Sequence, residues 1–151
     1  MPEIHIKKTG AIGQITLARP EALNSLTANM LSKIEMALSS WESDPDISAV
    51  VINAEGEKAF CAGGDITDIY RQGKRRNFNY GQEFWANEYR LNLKIARYRK
   101  PYLAFMQGFT MGGGVGVSCH GSHRIVGENS IVSMPECGIG LVPDVGGSFL
   151  L

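Results

Sequence analysis

The chain has 151 residues, enough for one domain with a buried core, and its 15 basic and 15 acidic residues leave no positive field that would indicate nucleic-acid binding. It has neither an apolar run long enough to span a membrane nor an N-terminal signal peptide. Three widely spaced cysteines, without a Cys-x-x-Cys pair, argue against disulfides and structural zinc and for a reducing, cytoplasmic compartment.

The first predicted elements are a β-hairpin and an amphipathic helix. Residues 3–8 and 11–17 alternate apolar and polar side chains, which is typical of two paired strands. The alternating apolar residues are Ile4, Ile6, Ile15 and Leu17. A helix is predicted over residues 27–43, because apolar side chains recur there at helical spacing. These core-facing residues are Met30, Ile34, Leu38 and Trp41.

The next segment combines a buried strand with a turn of two glycines. Residues 48–54 form a short apolar run rich in β-branched residues, which predicts a buried strand. Gly63 and Gly64 would then allow the backbone to approach a ligand closely. Asp65 is placed to cap a helix. Cys61 is predicted to be a small buried residue rather than a nucleophile.

A basic cluster and a long helix come next. Residues 71–76 contain four basic side chains and are predicted to form a solvated loop, with contact to ligand phosphates as the alternative. A helix is predicted over residues 78–99 and a buried strand over residues 102–106. Glu88 lies among apolar residues of that helix, so it is either a surface carboxylate or one that faces a site.

The most informative stretch is residues 108–118, in which five of eleven residues are glycine. It is predicted to join a strand to a helix through a loop that has almost no side chains. A ligand could lie against such a backbone, where free N–H groups of the first helical turn favour an anion or a developing oxyanion. The alternative is that the glycines only permit close packing. The spacing fits neither G-x-G-x-x-G nor a P-loop.

Two carboxylates stand out near the end of the sequence. Short strands are predicted over residues 124–126 and 130–134, and an apolar, glycine-rich segment then carries Glu136 and Asp144. Carboxylates in such surroundings are suited to acid–base work, although Asp144 could instead cap a following helix. The histidines show no metal-ligand spacing. The sequence stops as a new apolar segment begins, which favours a truncated chain.

Three separated motifs, in this order, resemble the crotonase (enoyl-CoA hydratase/isomerase) superfamily. They are residues 59–66, 108–114 and 134–147, and residues 19–24 also resemble an N-terminal motif of the family. The resemblance implies an α/β fold, a crotonase-like (ClpP/crotonase) spiral of ββα repeats over residues 1–151. It matches only the N-terminal part of a family chain, without the C-terminal helices.

The resemblance also implies a site for acyl-CoA thioesters. The family holds the thioester oxygen in an oxyanion hole of two backbone N–H groups, which correspond here to Gly64 and Gly113. Glu136 and Asp144 match catalytic carboxylates, and Glu88 matches a substrate-binding glutamate. CoA is then part of the substrate, and neither a bound cofactor nor a metal is expected.

The branch of the superfamily follows from one missing carboxylate. Typical hydratases carry a second glutamate two positions after the glycine triplet, where this sequence has Gly116. Residues 112–121 and 143–147 instead resemble the 3-hydroxyisobutyryl-CoA hydrolases of valine catabolism. The expected activity is therefore thioester hydrolysis, with Glu136 as nucleophile or general base. The alternatives are an enoyl-CoA hydratase or isomerase, and an inactive crotonase fragment.

The resemblance extends to partners and location. Family members usually assemble as trimers or hexamers, so a homo-oligomer is expected, or association with a second chain that supplies the C-terminal half. The expected location is the cytoplasm, or the mitochondrial matrix in a eukaryote, although no transit peptide is visible.

Overall fold

The computed structural model describes residues 2–150, in which short strands alternate with helices. The strands are β1 (Ile4–Thr9), β2 (Ile12–Leu17), β3 (Ala49–Ala54), β4 (Ala59–Cys61), β5 (Tyr102–Met106), β6 (Phe109–Met111), β7 (His123–Val126) and β8 (Ile131–Ser133). The α-helices are α1 (Ala28–Glu42), α2 (Ile66–Lys74), α3 (Asn79–Ala96), α4 (Gly113–Ser118) and α5 (Gly147–Leu150). Short 3-10 turns cover Pro20–Ala22 and Glu136–Ile139.

The strands form two sheets that the chain visits in turn. The larger sheet has the order β1-β2-β3-β5-β7, with the β1–β2 hairpin antiparallel and the other neighbours parallel. The smaller sheet, β4-β6-β8, is parallel throughout. From β3 onward, the chain places one strand in the larger sheet and the next in the smaller sheet. Helices follow the pairs β3–β4 and β5–β6, which confirms the predicted ββα repeat.

The core lies between the larger sheet and the helices, and α1 supplies much of it. The four apolar residues that predicted this helix are all buried. The helix begins where predicted, because the Thr27 hydroxyl accepts a hydrogen bond from the Met30 N–H at 3.2 Å and caps the first turn. Trp41 packs against the backbone of Gly13 in β2, where a β-carbon would collide with its ring.

Two details of the fold were not specified by the sequence pattern. Ile6 is one of the alternating apolar residues of the predicted hairpin, yet it is 37% exposed, since β1 is an edge strand and only its first residue is buried. The segment 108–118 is not a simple loop and helix, because Phe109–Met111 form β6 before α4 begins. Within residues 2–150, no helix combines the length and the apolar character needed to cross a membrane.

Candidate active site

One pocket contains all five residues that the sequence singled out for a site. Its volume is about 360 Å³, a size typical of small-molecule pockets. The five predicted residues that line it are Gly64, Glu88, Gly113, Glu136 and Asp144. Much of the remaining wall is apolar, and its apolar residues include Ile66, Ile69, Phe84, Trp85, Pro135, Ile139 and Leu141.

The two glycine turns lie side by side because β4 and β6 are parallel neighbours in the smaller sheet, so their carboxyl ends meet at one edge. A β-carbon built on Gly113 would lie 3.3 Å from the Gly64 nitrogen. Gly63 and Gly112 have positive φ angles, +104° and +50°, which favour glycine. Within residues 2–150, the N–H groups of Gly64 and Gly113 donate no backbone hydrogen bond, so both are free to bind a ligand oxygen.

Side chains are excluded from this part of the pocket by close approach. A β-carbon on Gly112 would lie 2.6 Å from Glu136 Oε1, and one on Gly64 would lie 3.1 Å from the Phe84 ring. A β-carbon on Gly113 would collide with Glu88 Oε1. At Gly112 and Gly113 the backbone therefore lies directly against the carboxyl groups of Glu136 and Glu88, an approach that a side chain would prevent.

Glu88 faces the pocket and not the surface. It projects from the middle of α3, its side chain is only 2% exposed, and Oε1 has no hydrogen-bond partner among the described residues. Burial raises the pKa of Glu88 to about 8, and the nearby carboxylates of Asp144 and Glu136 add to the shift. Near pH 7 this side chain is therefore mostly a neutral acid that can donate a hydrogen bond.

Glu136 enters the pocket at the start of the 3-10 turn that follows β8. Its side chain is buried, Oε1 lies beside Gly112, and Oε2 has no hydrogen-bond partner within the described part of the chain. The turn is closed by a hydrogen bond from the Leu141 N–H to the Glu136 carbonyl, at 3.0 Å. The carboxyl group thus lies beside the glycine backbone, with Oε2 unpaired within residues 2–150.

Asp144 does not cap a helix with its side chain. Its backbone carbonyl accepts a hydrogen bond from the Gly147 N–H, at 2.7 Å, where α5 begins. Its carboxylate instead accepts a hydrogen bond from the Tyr89 hydroxyl, with Oδ2 2.7 Å from Oη. Sequence reasoning missed Tyr89; the one available signal was its position directly after Glu88 in α3.

Asp65 caps α2 as predicted, and it also forms an ion pair that sequence reasoning missed. Its Oδ1 accepts a hydrogen bond from the Thr67 N–H at 3.1 Å, and its Oδ2 lies 2.9 Å from Arg19 Nη2. Partial burial acts to raise the pKa of Asp65, but the hydrogen bond and charge of Arg19 outweigh it and lower the pKa. Arg19 also binds the Ser25 carbonyl at 2.7 Å, so it ties the N-terminal motif to the first glycine turn.

Other residues considered from the sequence lie outside the pocket lining. Cys61 is fully buried, as predicted, and burial raises the pKa of its thiol to about 12, which disfavours the thiolate that a nucleophile requires. Arg71 and Lys74 are exposed in the last turn of α2, which extends into the predicted basic loop. His120 Nε2 lies 2.7 Å from the Val145 carbonyl oxygen.

Residues 12–151 match the sequence model of the enoyl-CoA hydratase/isomerase family. The chain belongs to this family. Two curated relatives are named "3-hydroxyisobutyryl-CoA hydrolase, mitochondrial". The protein from Danio rerio is 50% identical to this chain over 149 residues, and the one from Homo sapiens is 46% identical over 149 residues. Each alignment covers 99% of this chain but only 39% and 38% of the relative.

Solved structures agree with the family assignment. A structure described as an enoyl-CoA hydratase from Rhodobacter sphaeroides superposes with a TM-score of 0.95 at 55% identity, and covers 97% of this chain and 44% of that one. A structure described as a carnitinyl-CoA dehydratase from Mycobacterium thermoresistibile gives a TM-score of 0.94 at 44% identity, with 97% and 43% covered. These similarities confirm the crotonase-like α/β fold. The chain spans about two fifths of the length of these relatives.

Proposed function

We propose that the chain carries the site of an acyl-CoA thioester hydrolase that acts on 3-hydroxyisobutyryl-CoA in valine breakdown. The observation that carries the proposal is one pocket holding two free N–H groups, at Gly64 and Gly113, beside Glu136 and Asp144. Thioester hydrolysis needs donors for the developing oxyanion and a group that attacks the carbonyl or activates water. The name of the curated relatives supports the same reaction.

In this proposal the N–H groups of Gly64 and Gly113 hold the thioester oxygen. That oxygen becomes more negative as the carbonyl carbon becomes tetrahedral, so the two donors stabilise the transition state more than the substrate. Losing one such donor typically lowers the rate by about 10²–10³-fold. CoA enters as part of the substrate, and the proposed chemistry uses neither a metal nor a separate cofactor.

We propose that Glu136 acts as the nucleophile or the general base and that Asp144 assists in proton transfer. Glu136 either attacks the thioester carbonyl carbon or takes a proton from a water molecule that attacks it. In the first route the C–S bond breaks as a mixed anhydride forms on Glu136, and water then cleaves the anhydride, which releases the acid and regenerates the carboxylate. In the second route the attacking water becomes part of the acid as the C–S bond breaks. In both routes CoA leaves as a thiolate that takes up a proton. Asp144 orients the substrate 3-hydroxyl or the water and shuttles protons. Glu88, as a neutral acid, is proposed to donate a hydrogen bond to an oxygen of the acyl group.

The space around Gly116 favours hydrolysis over hydration of an enoyl-CoA. A β-carbon at this position would lie 2.8 Å from both amide atoms of Asn92 and 2.9 Å from Cβ of Val145. The position cannot hold the second glutamate of a typical hydratase while Asn92 and Val145 stay in place. This supports a reaction that relies on Glu136 and Asp144 instead.

The test is thiol release from 3-hydroxyisobutyryl-CoA by the purified chain, with crotonyl-CoA hydration assayed in parallel. We expect thiol release by the wild type, and its loss in Glu136→Gln and Asp144→Asn. Glu83→Gln, an exposed glutamate on α3, is the matched control and should retain the rate. Hydration of crotonyl-CoA without thiol release would replace the proposal with the hydratase alternative. If a folded chain catalyses neither reaction, the inactive-fragment alternative is favoured.

The two roles of Glu136 are separable by trapping. If Glu136 is the nucleophile, hydroxylamine added during turnover converts the glutamyl anhydride into a hydroxamate, which peptide mass spectrometry locates at position 136. If Glu136 is a general base, the residue stays unmodified while thiol release continues.

We propose that the chain assembles with other chains, because the family it resembles forms oligomers and because apolar side chains are exposed on the edge strands of both sheets. β7 and β8 are edge strands, and their exposed apolar side chains are Ile125, Val126, Ile131 and Val132. Such a surface supports a homo-oligomer or association with a second chain, and light scattering of the purified chain would test it. For a eukaryotic source we propose the mitochondrial matrix, and the word mitochondrial in the name of the curated relatives supports the organelle. For a bacterial source we propose the cytoplasm.

A further inference from the structure

The turn that carries Asp144 has a strained backbone. Val145 has a φ of +45°, and Gly146 follows with a φ of +77°. A β-branched residue rarely adopts this left-handed region, and such residues persist only where the surrounding structure holds them. The position of Asp144 therefore depends on contacts that keep the next residue in place.

Two of these contacts hold the backbone of the turn. His120 Nε2 lies 2.7 Å from the Val145 carbonyl oxygen. The Val145 side chain is 3% exposed and packs against Gly116, which has no side chain to displace it. Neither contact reaches the carboxylate of Asp144, so neither fixes the direction in which its oxygens point.

The carboxylate is held by Tyr89. Among residues 2–150, the Tyr89 hydroxyl is the one hydrogen-bond donor to the Asp144 carboxylate, and it occupies Oδ2. Oδ1 is left to accept a proton or a hydrogen bond from another group. Burial, and then the hydrogen bond to Asp144, raise the pKa of the Tyr89 hydroxyl, so it remains a donor across the physiological range.

The position of Tyr89 on α3 links two of the pocket carboxylates. Glu88 and Tyr89 are consecutive, so their side chains leave the helix about 100° apart. One enters the pocket, and the other crosses to the turn at Asp144. The same turn of α3 thus sets the position of Glu88 directly and that of Asp144 through a hydroxyl group.

We propose that Tyr89 is a positioning residue for the reaction, which fixes the orientation of the Asp144 carboxylate through its hydroxyl group. The inference rests on the proposed hydrolase function. Tyr89 acts through Asp144 and not on the substrate, so its loss should affect turnover and leave substrate binding largely intact. A tyrosine that only tethers a surface turn would affect neither.

Tyr89→Phe removes the hydroxyl and keeps the ring. Tyr80→Phe is its matched control, because the Tyr80 hydroxyl also donates to an aspartate, Asp68, at 2.8 Å, but outside the pocket lining. In Tyr89→Phe we expect kcat for thiol release to fall about 10-fold or more, the effect of losing a hydrogen bond to a charged group, with KM within about 2-fold of wild type. Tyr80→Phe should match the wild type in both constants.

A second measurement is independent of activity. The Tyr89 hydroxyl donates to Oδ2 of Asp144, so crystal structures of the wild type and of both variants report directly on the direction of this carboxylate. We expect the Asp144 carboxylate to rotate or to take several conformers in Tyr89→Phe, with the backbone of the turn unchanged, and to keep its wild-type direction in Tyr80→Phe. If the wild type releases no thiol, the proposed function fails, and the direction of the carboxylate alone then decides whether Tyr89 positions Asp144.

Three results would overturn the proposal. One is an unchanged kcat in Tyr89→Phe when the wild type is active. Another is a rise in KM that accounts for the whole loss of kcat/KM, because Tyr89 would then contact the substrate. The third is an Asp144 carboxylate that keeps its wild-type direction in the Tyr89→Phe structure.

Discussion

Glu88 Oε1 lies against the α-carbon of Gly113, so close that a β-carbon built on this glycine would collide with it. The contact joins the middle of α3 to the first residue of α4. It places a buried acid beside a free backbone N–H group, within the pocket that also holds Glu136 and Asp144.

Gly113→Ala should disrupt the pocket. The new methyl group would displace Glu88 and crowd the Gly64 nitrogen, so we expect thiol release to fall by about 10²-fold or more. Gly138→Ala is the control, because a β-carbon at that position meets nothing within 4 Å. The assay is CoA release under saturating substrate, and a Gly113→Ala rate close to that of Gly138→Ala would contradict the prediction.

Glu88→Gln should remove a pH dependence of stability. The pKa of Glu88 is raised to about 8 from 4.5, so the folded state binds one proton more than the unfolded state between these pH values. The free energy of unfolding therefore falls as pH rises, by about 1.4 kcal/mol per pH unit at most and a few kcal/mol in all.

Urea unfolding at pH 5, 6, 7 and 8 measures this dependence. We expect the slope to be shallower in Glu88→Gln than in the wild type, with the variant the more stable of the two at pH 8. Glu83→Gln, which alters an exposed glutamate of the same helix, should keep the wild-type slope. Parallel curves for wild type and Glu88→Gln would show that Glu88 ionises normally in the folded protein.

Gly116→Ala should destabilise the fold. The added methyl group would lie 2.8 Å from the Asn92 amide and 2.9 Å from Cβ of Val145, an overpacking that typically costs about 1–3 kcal/mol. Gly73→Ala is the matched control, since Gly73 lies within α2 with open space around it. There, alanine should stabilise by about 0.5–1 kcal/mol. Thermal melts of both variants test this prediction, and equal changes in melting temperature for the two variants would contradict it.

Asp65→Asn and Asp65→Ala should separate the cap of α2 from the ion pair with Arg19. Asparagine keeps a capping oxygen, so Asp65→Ala should cost about 1 kcal/mol more than Asp65→Asn. Because Arg19 lowers the pKa of Asp65, the ion pair contributes fully at neutral pH and is lost as pH falls through the folded-state pKa. The wild type should therefore lose its advantage over Asp65→Asn below about pH 4. An advantage that persists at pH 2 would mean that the charge does not matter.

Much of the pocket could be predicted because its parts are local in the sequence. The glycines at 63–64 and 112–114 follow short strands, and Glu136 and Asp144 are acids in otherwise apolar segments. The structure places all of them in one pocket, and it resolves the question left open for Glu88, which is buried. The roles assigned to these residues remain predictions until the assays above are made.

The parts that could not be predicted depend on distant residues. Tyr89 and Asp144 are 55 positions apart, and Arg19 and Asp65 are 46 apart, so no local pattern marks either pair. β6 has only three residues, too few for an alternating pattern to emerge. Ile6 fits the alternating pattern of a strand, but β1 lies at the edge of the larger sheet and little covers this side chain. The position of a strand within its sheet is not visible in the sequence of that strand.

The order β4-β6-β8 of the smaller sheet has a consequence for how the chemistry could change. Each strand ends at the pocket and delivers one component: the Gly64 amide after β4, the Gly113 amide after β6, and the Glu136 carboxylate after β8. If the proposed roles hold, oxygen binding and the attacking group come from separate repeats of the spiral. A related chain could then exchange the segment after β8 for one with different acids and catalyse another reaction of the proposed thioester substrate, with the first two repeats unaltered.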